Sequence, residues 1–336
     1  MMTYLNPFLS PFFIWEEVVT VNILSTTRLK GGLEEALTHE FPQVSFEFCS
    51  NINEASSSLG EAHIIITYGE DLTEEHIQSA LNLKWIMVIS AGLEKMPLKA
   101  IEDRGILVTN ARGIHKIPMA EYAIATMLQA AKNMKKWTLN QKQHKWDRRV
   151  EMTELAGKAL TIIGPGAIGA EIARLAKAFR MTTYGVSRSG NEVEYIDHMY
   201  TIDDIAVPLP LSQYIISVLP QTKETEQLIS KEHFDLMPRT SVFMNIGRGK
   251  TVNQNDLLEA LESGSIAGAV LDVFEEEPLD STHPFWDMDN VTLTPHFSSV
   301  TSSYQPRAIE IFKSNLREYL KGGSNLINLI DVNRGY

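Results

Sequence analysis

LTIIGPGAIGAEIARLAKAF, residues 160–179, is the stretch on which the fold turns. Residues 160–163 have the length and residue types of a buried strand, and residues 170–179 carry apolar side chains at helical spacing. Between them stand Gly164, Gly166 and Gly169, with Ala167 and Ile168 completing a G-x-G-x-x-G turn. One glycine serves the tight turn, one lets backbone approach a pyrophosphate, and one brings helix against strand. The N–H groups and dipole of the helix start then favour phosphate. A glycine triplet in an ordinary loop is the bland reading; a strand before it and a helix after it favour a dinucleotide site.

Working outward, the same alternation continues on both sides. Residues 182–186, 214–219, 241–246, 269–273 and 291–294 read as strands, with helices between them such as 256–261 and a last helix at 307–320 that can fold back onto the first half. Upstream, 18–24, 44–48, 63–67, 84–89 and 106–109 read as strands, with a helix at 32–38 and no glycine triplet. The class is α/β with parallel sheets in two units. Residues 118–136 read as one long helix with Ala120, Ala123, Ile124, Met127, Leu128 and Ala131 on one face. The basic segment 135–149, with Trp137 and Trp146, reads as a solvated connecting arm rather than a nucleic-acid patch.

With 336 residues the chain suits two domains, and at 44% hydrophobic and 21% charged it has a globular composition. A formal charge of −12 argues against nucleic acid or an anionic membrane as partner. The single cysteine, Cys49, excludes an internal disulfide and a cysteine-built zinc site; no metal is expected, and a reducing cytoplasm is. Phe8, Leu9, Phe12, Phe13, Ile14 and Trp15 make residues 1–18 apolar, but Pro7 and Pro11 interrupt them and Glu16 and Glu17 follow. Neither a signal peptide nor a membrane span fits, and an N-terminal extension is expected.

Several further motifs, in order, carry a resemblance. SAGLEKMP at 90–97, the glycine turn, LPQTKET from Leu219, MNIGRGK from Met244, LDVFEEEPL from Leu271, HPFW from His283 and TPHFSS from Thr294 are similar to those of D-isomer-specific 2-hydroxyacid dehydrogenases. The resemblance implies two Rossmann-like domains with the active site in the cleft between them, a nicotinamide cofactor and a homodimer. Its domain plan is a substrate-binding, flavodoxin-like domain of residues 19–113 plus 299–336, and a dinucleotide-binding domain of 114–298. Onto its motifs it carries cofactor contacts at Leu219, Pro220, Thr225, Ile246, Gly247, Arg248, Asp272 and His296, beside the glycine turn.

The chemistry is consistent with those positions. Hydride delivery to a 2-keto acid requires a carboxylate clamp, a proton donor for the developing alkoxide, and a group that keeps the donor charged. Arg248, between Gly247 and Gly249 after a strand, can bind a carboxylate with two parallel hydrogen bonds. His296 ends another strand, and imidazoles titrate near neutrality. Glu277 matches the family's glutamate before proline, although by residues alone Glu275, Glu276 and Glu277 are equivalent. Arg248, Glu277 and His296 are thus the expected catalytic set; His283 is read as structural. The substrate carboxylate should meet Arg248, His296 and the Ala91–Gly92 loop.

An NAD site places an acid at the end of its second strand to hold the ribose hydroxyls. Here Ser187, Arg188 and Ser189 stand instead, and the first acid is Glu192. NADP(H) is therefore favoured, with NAD(H) as the lesser alternative, and a similar S-R-S stretch occurs in NADPH-dependent glyoxylate/hydroxypyruvate reductases. Glyoxylate, hydroxypyruvate and larger 2-keto acids stay open as substrates; the end of the chain at Tyr336 speaks against a long phosphoglycerate dehydrogenase. Two rivals are a cofactor-binding transcriptional corepressor of the same family and a methyltransferase, the latter giving no role to residues 244–250 or 294–299.

Overall fold

The computed structural model describes residues 20–90, 92–93 and 95–332. The N-terminal extension and Ala91 lie outside those residues. Contacts divide the chain into a unit formed by residues up to Ala111 together with those from Gln305 on, and a second unit, Arg112–Tyr304.

In the first unit, β1 (Val21–Ser25), β2 (Val44–Phe48), β3 (Ile64–Thr67), β4 (Trp85–Val88) and β5 (Leu107–Asn110) form a parallel sheet in the order β2-β1-β3-β4-β5. β3 reads IIIT and β4 reads WIMV, and both are buried along their whole length. Continuous apolar strands are what a parallel sheet covered on both faces requires. The helix Tyr304–Leu320 supplies part of that cover, its Phe312 ring 5.4 Å from the ring of Trp85. Lys313 of this helix pairs with Glu40 at 3.1 Å, and Arg317 pairs with the same carboxylate. Cys49 is buried in this core.

The second unit is built on β6 (Ala159–Ile163), β7 (Thr182–Ser187), β8 (His198–Thr201), β9 (Tyr214–Ser217), β10 (Val242–Asn245), β11 (Gly268–Leu271) and β12 (Val291–Leu293). All pair in parallel, in the order β12-β11-β10-β9-β6-β7-β8. Strand periodicity sorts their side chains onto two faces. Leu160, Ile162, Tyr214, Ile216, Met244 and Val270 join one apolar cluster; Ile163, Ile215, Phe243, Ala269 and Leu271 join the other. From β6 the chain turns to one side, through β7 and β8, and from β9 it runs to the other. The strand ends at that reversal form the crevice where doubly wound sheets bind ligands.

Two local readings need correction. The single long helix over 118–136 is in fact two, Lys116–Ala131 and Met134–Lys142. Asn133 separates them with φ of 52°, a left-handed conformation that asparagine tolerates better than most residues. The helix after the glycine turn begins at Ala167, earlier than its apolar spacing suggests, because its first turn carries the motif itself.

Candidate active site

The glycine turn leaves β6 at the reversal of strand order. Gly164 has φ of 87°, and its N–H donates to the Val186 carbonyl at the end of β7. A Cβ at Gly164 would stand 3.1 Å from the Val218 carbonyl oxygen of the loop after β9, so a side chain there would force the two loops apart. Gly166 and Ala167 are exposed at the start of the Ala167–Ala178 helix, Ile168 is half-buried and Gly169 is buried. The helix therefore starts at an exposed turn, where its first N–H groups, unbonded within the helix, can serve an anion.

Ser187 ends β7, and its Oγ accepts from the Gly190 N–H at 3.1 Å; Arg188 and Ser189 are exposed. Glu224 is held below the usual carboxylate range first by the Thr222 hydroxyl, and the Arg188 charge acts in the same direction. Arg188 thus lies near the loop that follows β9. In that loop Leu219 is buried and Pro220 exposed, and the Thr225 hydroxyl donates to the Pro220 carbonyl at 2.7 Å.

Arg248, Glu277 and His296 follow β10, β11 and β12, three adjacent strands, so all three stand at the same edge of one sheet. Arg248 is fixed through its neighbours. A Cβ on Gly247 would stand 2.6 Å from the Leu219 carbonyl oxygen, and one on Gly249 would stand 1.8 Å from that of Phe274. The loop is therefore wedged between those after β9 and β11, with no space for a side chain on either flank. Asn245 ties it further: its amide donates to the Arg248 carbonyl at 3.1 Å while its oxygen accepts from the Gly247 N–H at 3.2 Å. Ile246 is buried beneath.

His296 and Glu277 meet, Nδ1 to Oε2, at 2.8 Å. The other Glu277 oxygen accepts from the Phe274 N–H at 3.0 Å, so both of its oxygens are engaged. Of the three successive glutamates, Glu275 instead accepts from the Gln254 N–H. His296 has φ of 51°, a left-handed conformation uncommon outside glycine, and its surroundings hold it there. Asp272 does so. Its side chain is fully buried and accepts from the Thr294 hydroxyl at 2.6 Å and from the Phe297 and Ser298 N–H groups, each at 3.0 Å. Its carbonyl accepts from the His296 N–H at 2.8 Å. The Tyr122 hydroxyl extends the chain to Thr294 at 2.7 Å, and burial raises the Tyr122 pKa to about 12. Neither Tyr122 nor the anchoring role of Asp272 was marked by any pattern in the sequence.

Beside the His296–Glu277 pair opens a cavity of about 570 Å³ with an apolar wall that includes Phe274, Leu279, Trp286 and Leu293. Gly92, in the other unit, is half-buried, its carbonyl accepting from the Ser90 hydroxyl at 3.3 Å. His283 caps a short turn, its Nδ1 accepting from the Phe285 N–H at 3.2 Å. Among the described residues no cluster of His, Cys, Asp and Glu is placed to hold a metal ion, and no helix is long and apolar enough to cross a membrane.

A profile described as "D-isomer specific 2-hydroxyacid dehydrogenase, NAD binding domain" matches residues 124–298, more than half of the chain. The chain belongs to that family. It is 33% identical over 273 residues to a D-3-phosphoglycerate dehydrogenase of Methanocaldococcus jannaschii, a match covering 80% of this chain and 52% of that one. The chain thus spans about half the length of that relative. It is also 33% identical over 270 residues to a glyoxylate reductase of Pyrococcus furiosus, covering 77% of this chain and 79% of the relative. Among solved structures, a D-isomer specific 2-hydroxyacid dehydrogenase family protein from Aeromonas salmonicida subsp. salmonicida A449 superposes with a TM-score of 0.85 at 32% identity, covering 93% and 99% of the two chains. The parallel-sheet architecture is therefore a family feature.

Proposed function

We propose that the protein reduces a small 2-keto acid to the D-2-hydroxy acid with NADP(H), as a family enzyme. The observation that carries this reading is the 2.8 Å His296–Glu277 pair, at the same sheet edge as Arg248, whose own loop is wedged between its neighbours. The cofactor fits the residues present: Gly164 permits the close approach of two loops, and Gly166 and Ala167 open the helix start to phosphate. Gly164, Gly166, Ala167, Ile168 and Gly169 would hold the pyrophosphate; Ser187, Arg188 and Ser189 would hold the ribose phosphate. Leu219, Pro220, Thr225, Ile246, Gly247 and Asp272 would complete the cradle. When bound, the nicotinamide supplies the hydride.

The rest falls to the chain's own side chains. Arg248 grips the substrate carboxylate with its planar fork. The Glu277 carboxylate accepts the Nδ1 proton of His296, which leaves Nε2 as the nitrogen that donates a proton to the carbonyl oxygen. The apolar wall beside the pair gives room beyond a two-carbon acid. Exposure of Trp137, Leu139 and Trp146 on the arm supports a second copy of the chain as partner, which a sedimentation measurement tests.

A steady-state screen of glyoxylate, hydroxypyruvate and longer 2-keto acids with NADPH and NADH tests the reading. Turnover of at least one acid, faster with NADPH, is expected; binding of either nucleotide without turnover of any acid would favour the corepressor reading.

A further inference from the structure

β12 is the shortest strand of its sheet, three residues, and pairs with β11 alone at the sheet edge, yet the loop that leaves it carries His296. Two side chains of the Lys116–Ala131 helix reach it from outside the sheet. The Gln129 amide donates to the Thr292 hydroxyl at 2.9 Å, and the Tyr122 and Thr294 hydroxyls meet at 2.7 Å. Tyr122 and Gln129 lie two helical turns apart and so share a face, and Thr292 and Thr294 share a face of the extended chain.

The two bonds differ in where they lead. Thr292 lies within the strand, whereas Thr294 donates its one hydroxyl proton to Asp272 at 2.6 Å. With that proton committed, Thr294 can only accept from Tyr122, which is therefore the donor. Burial raises the Tyr122 pKa to about 12, so the phenol keeps the proton it donates. Asp272 in turn accepts from the Phe297 and Ser298 N–H groups with its side chain and from the His296 N–H with its carbonyl. A directed chain thus runs from Tyr122 through Thr294 and Asp272 to the backbone of His296 and the two residues after it.

We propose that Tyr122 is a positioning residue for the proton donor: it holds the Thr294 hydroxyl in the rotamer that serves Asp272, and through Asp272 it keeps His296 in place. This rests on the reductase reading above and adds a residue to it. Threonine is stiff at χ1, so without the phenol its hydroxyl either still serves Asp272 or points elsewhere, and the His296 loop feels the difference.

Tyr122→Phe removes one oxygen and keeps the ring; Gln129→Met removes the neighbouring helix–strand bond and is the control for a merely structural role. With the best 2-keto acid, kcat should fall about three- to tenfold in Tyr122→Phe, the range a neutral hydrogen bond spans, and stay within about twofold in Gln129→Met, with KM for the acid little changed in both. Thr294→Val cuts the same chain, so adding Tyr122→Phe to it should cost nothing more. The ring-nitrogen resonances of His296, identified by their absence from His296→Gln, should move in Tyr122→Phe and stay in Gln129→Met. An unchanged kcat or unchanged ring resonances in Tyr122→Phe, equal changes in both variants, or losses that multiply in the double variant would overturn the inference. If wild type reduces no 2-keto acid, the reductase reading fails instead, and the ring resonances, which need no turnover, still decide the role of Tyr122.

Discussion

Replacing Asp272 by asparagine changes one buried atom and should be felt twice. In the native site Oδ1 accepts from the Thr294 hydroxyl and the Phe297 N–H, and Oδ2 accepts from the Ser298 N–H. Asparagine keeps one acceptor oxygen for the first two bonds, weakened by loss of charge, and turns an NH2 group toward the Ser298 N–H. Hydrogen bonds to a charged group contribute about 1.5–3 kcal/mol against about 0.5–1.5 for neutral ones, and an unpaired buried donor costs a further 1–3. Relief from burying a charge offsets part of this. The net is about 3 kcal/mol, which in a unit of this size lowers Tm by roughly 6–12 °C. The same loop holds His296 in its left-handed conformation, so kcat should fall by about tenfold or more. Calorimetry and steady-state kinetics on the one variant read both effects. Wild-type Tm together with wild-type kcat would show that Asp272 does not anchor the His296 loop.

Three further outcomes are expected. Arg188→Ala should weaken NADPH binding by about 10- to 100-fold and leave NADH almost unchanged, and adding Ser187→Asp should turn preference toward NADH; fluorescence titration of both nucleotides decides, and equal losses would make Arg188 a surface residue only. His233 is held below the ordinary imidazole range by burial, with Glu232 acting weakly the other way, and its Nδ1 accepts from the Ser230 N–H. Because the folded state disfavours the protonated ring, its stabilisation is present above pH 6.5 and lost on acidification below it. Thermal melts near neutrality and at pH about 5 should therefore show a larger loss for wild type than for His233→Gln, and equal losses would remove this contribution. Arg248→Lys should raise KM for the keto acid and lower kcat, since a point charge cannot reproduce a planar fork; an unchanged KM would place Arg248 outside the site.

What the sequence showed and what it hid divide along physical lines. The turn at Gly164, Gly166 and Gly169 was legible because its requirements, tight turning and close approach, are met by residues adjacent in sequence. The buried strands β3, β6 and β9 were legible because a parallel sheet demands continuous apolar runs. β8, His198–Thr201, carries no such run: it lies at the sheet edge with none of its residues buried. The break at Asn133 was masked by apolar residues that keep helical spacing up to it. Side-chain assignments behaved likewise. Arg248, Glu277 and His296 sit in local motifs, whereas Asp272 reaches Thr294 across 22 positions and Tyr122 reaches the same hydroxyl across 172. Such long-range bonds leave no trace in spacing.

The central claim is that His296, oriented by Glu277, donates the proton in reduction of a 2-keto acid. Its most direct measurement is NADPH consumption in the presence of the best 2-keto acid, followed at the nicotinamide absorbance band for wild type and His296→Gln side by side, with NADPH affinity measured on both. Glutamine retains a polar side chain of similar reach and cannot supply the proton, so turnover should fall by about 10²- to 10⁴-fold with NADPH affinity nearly unchanged. A His296→Gln enzyme that consumes NADPH as fast as wild type would contradict the account.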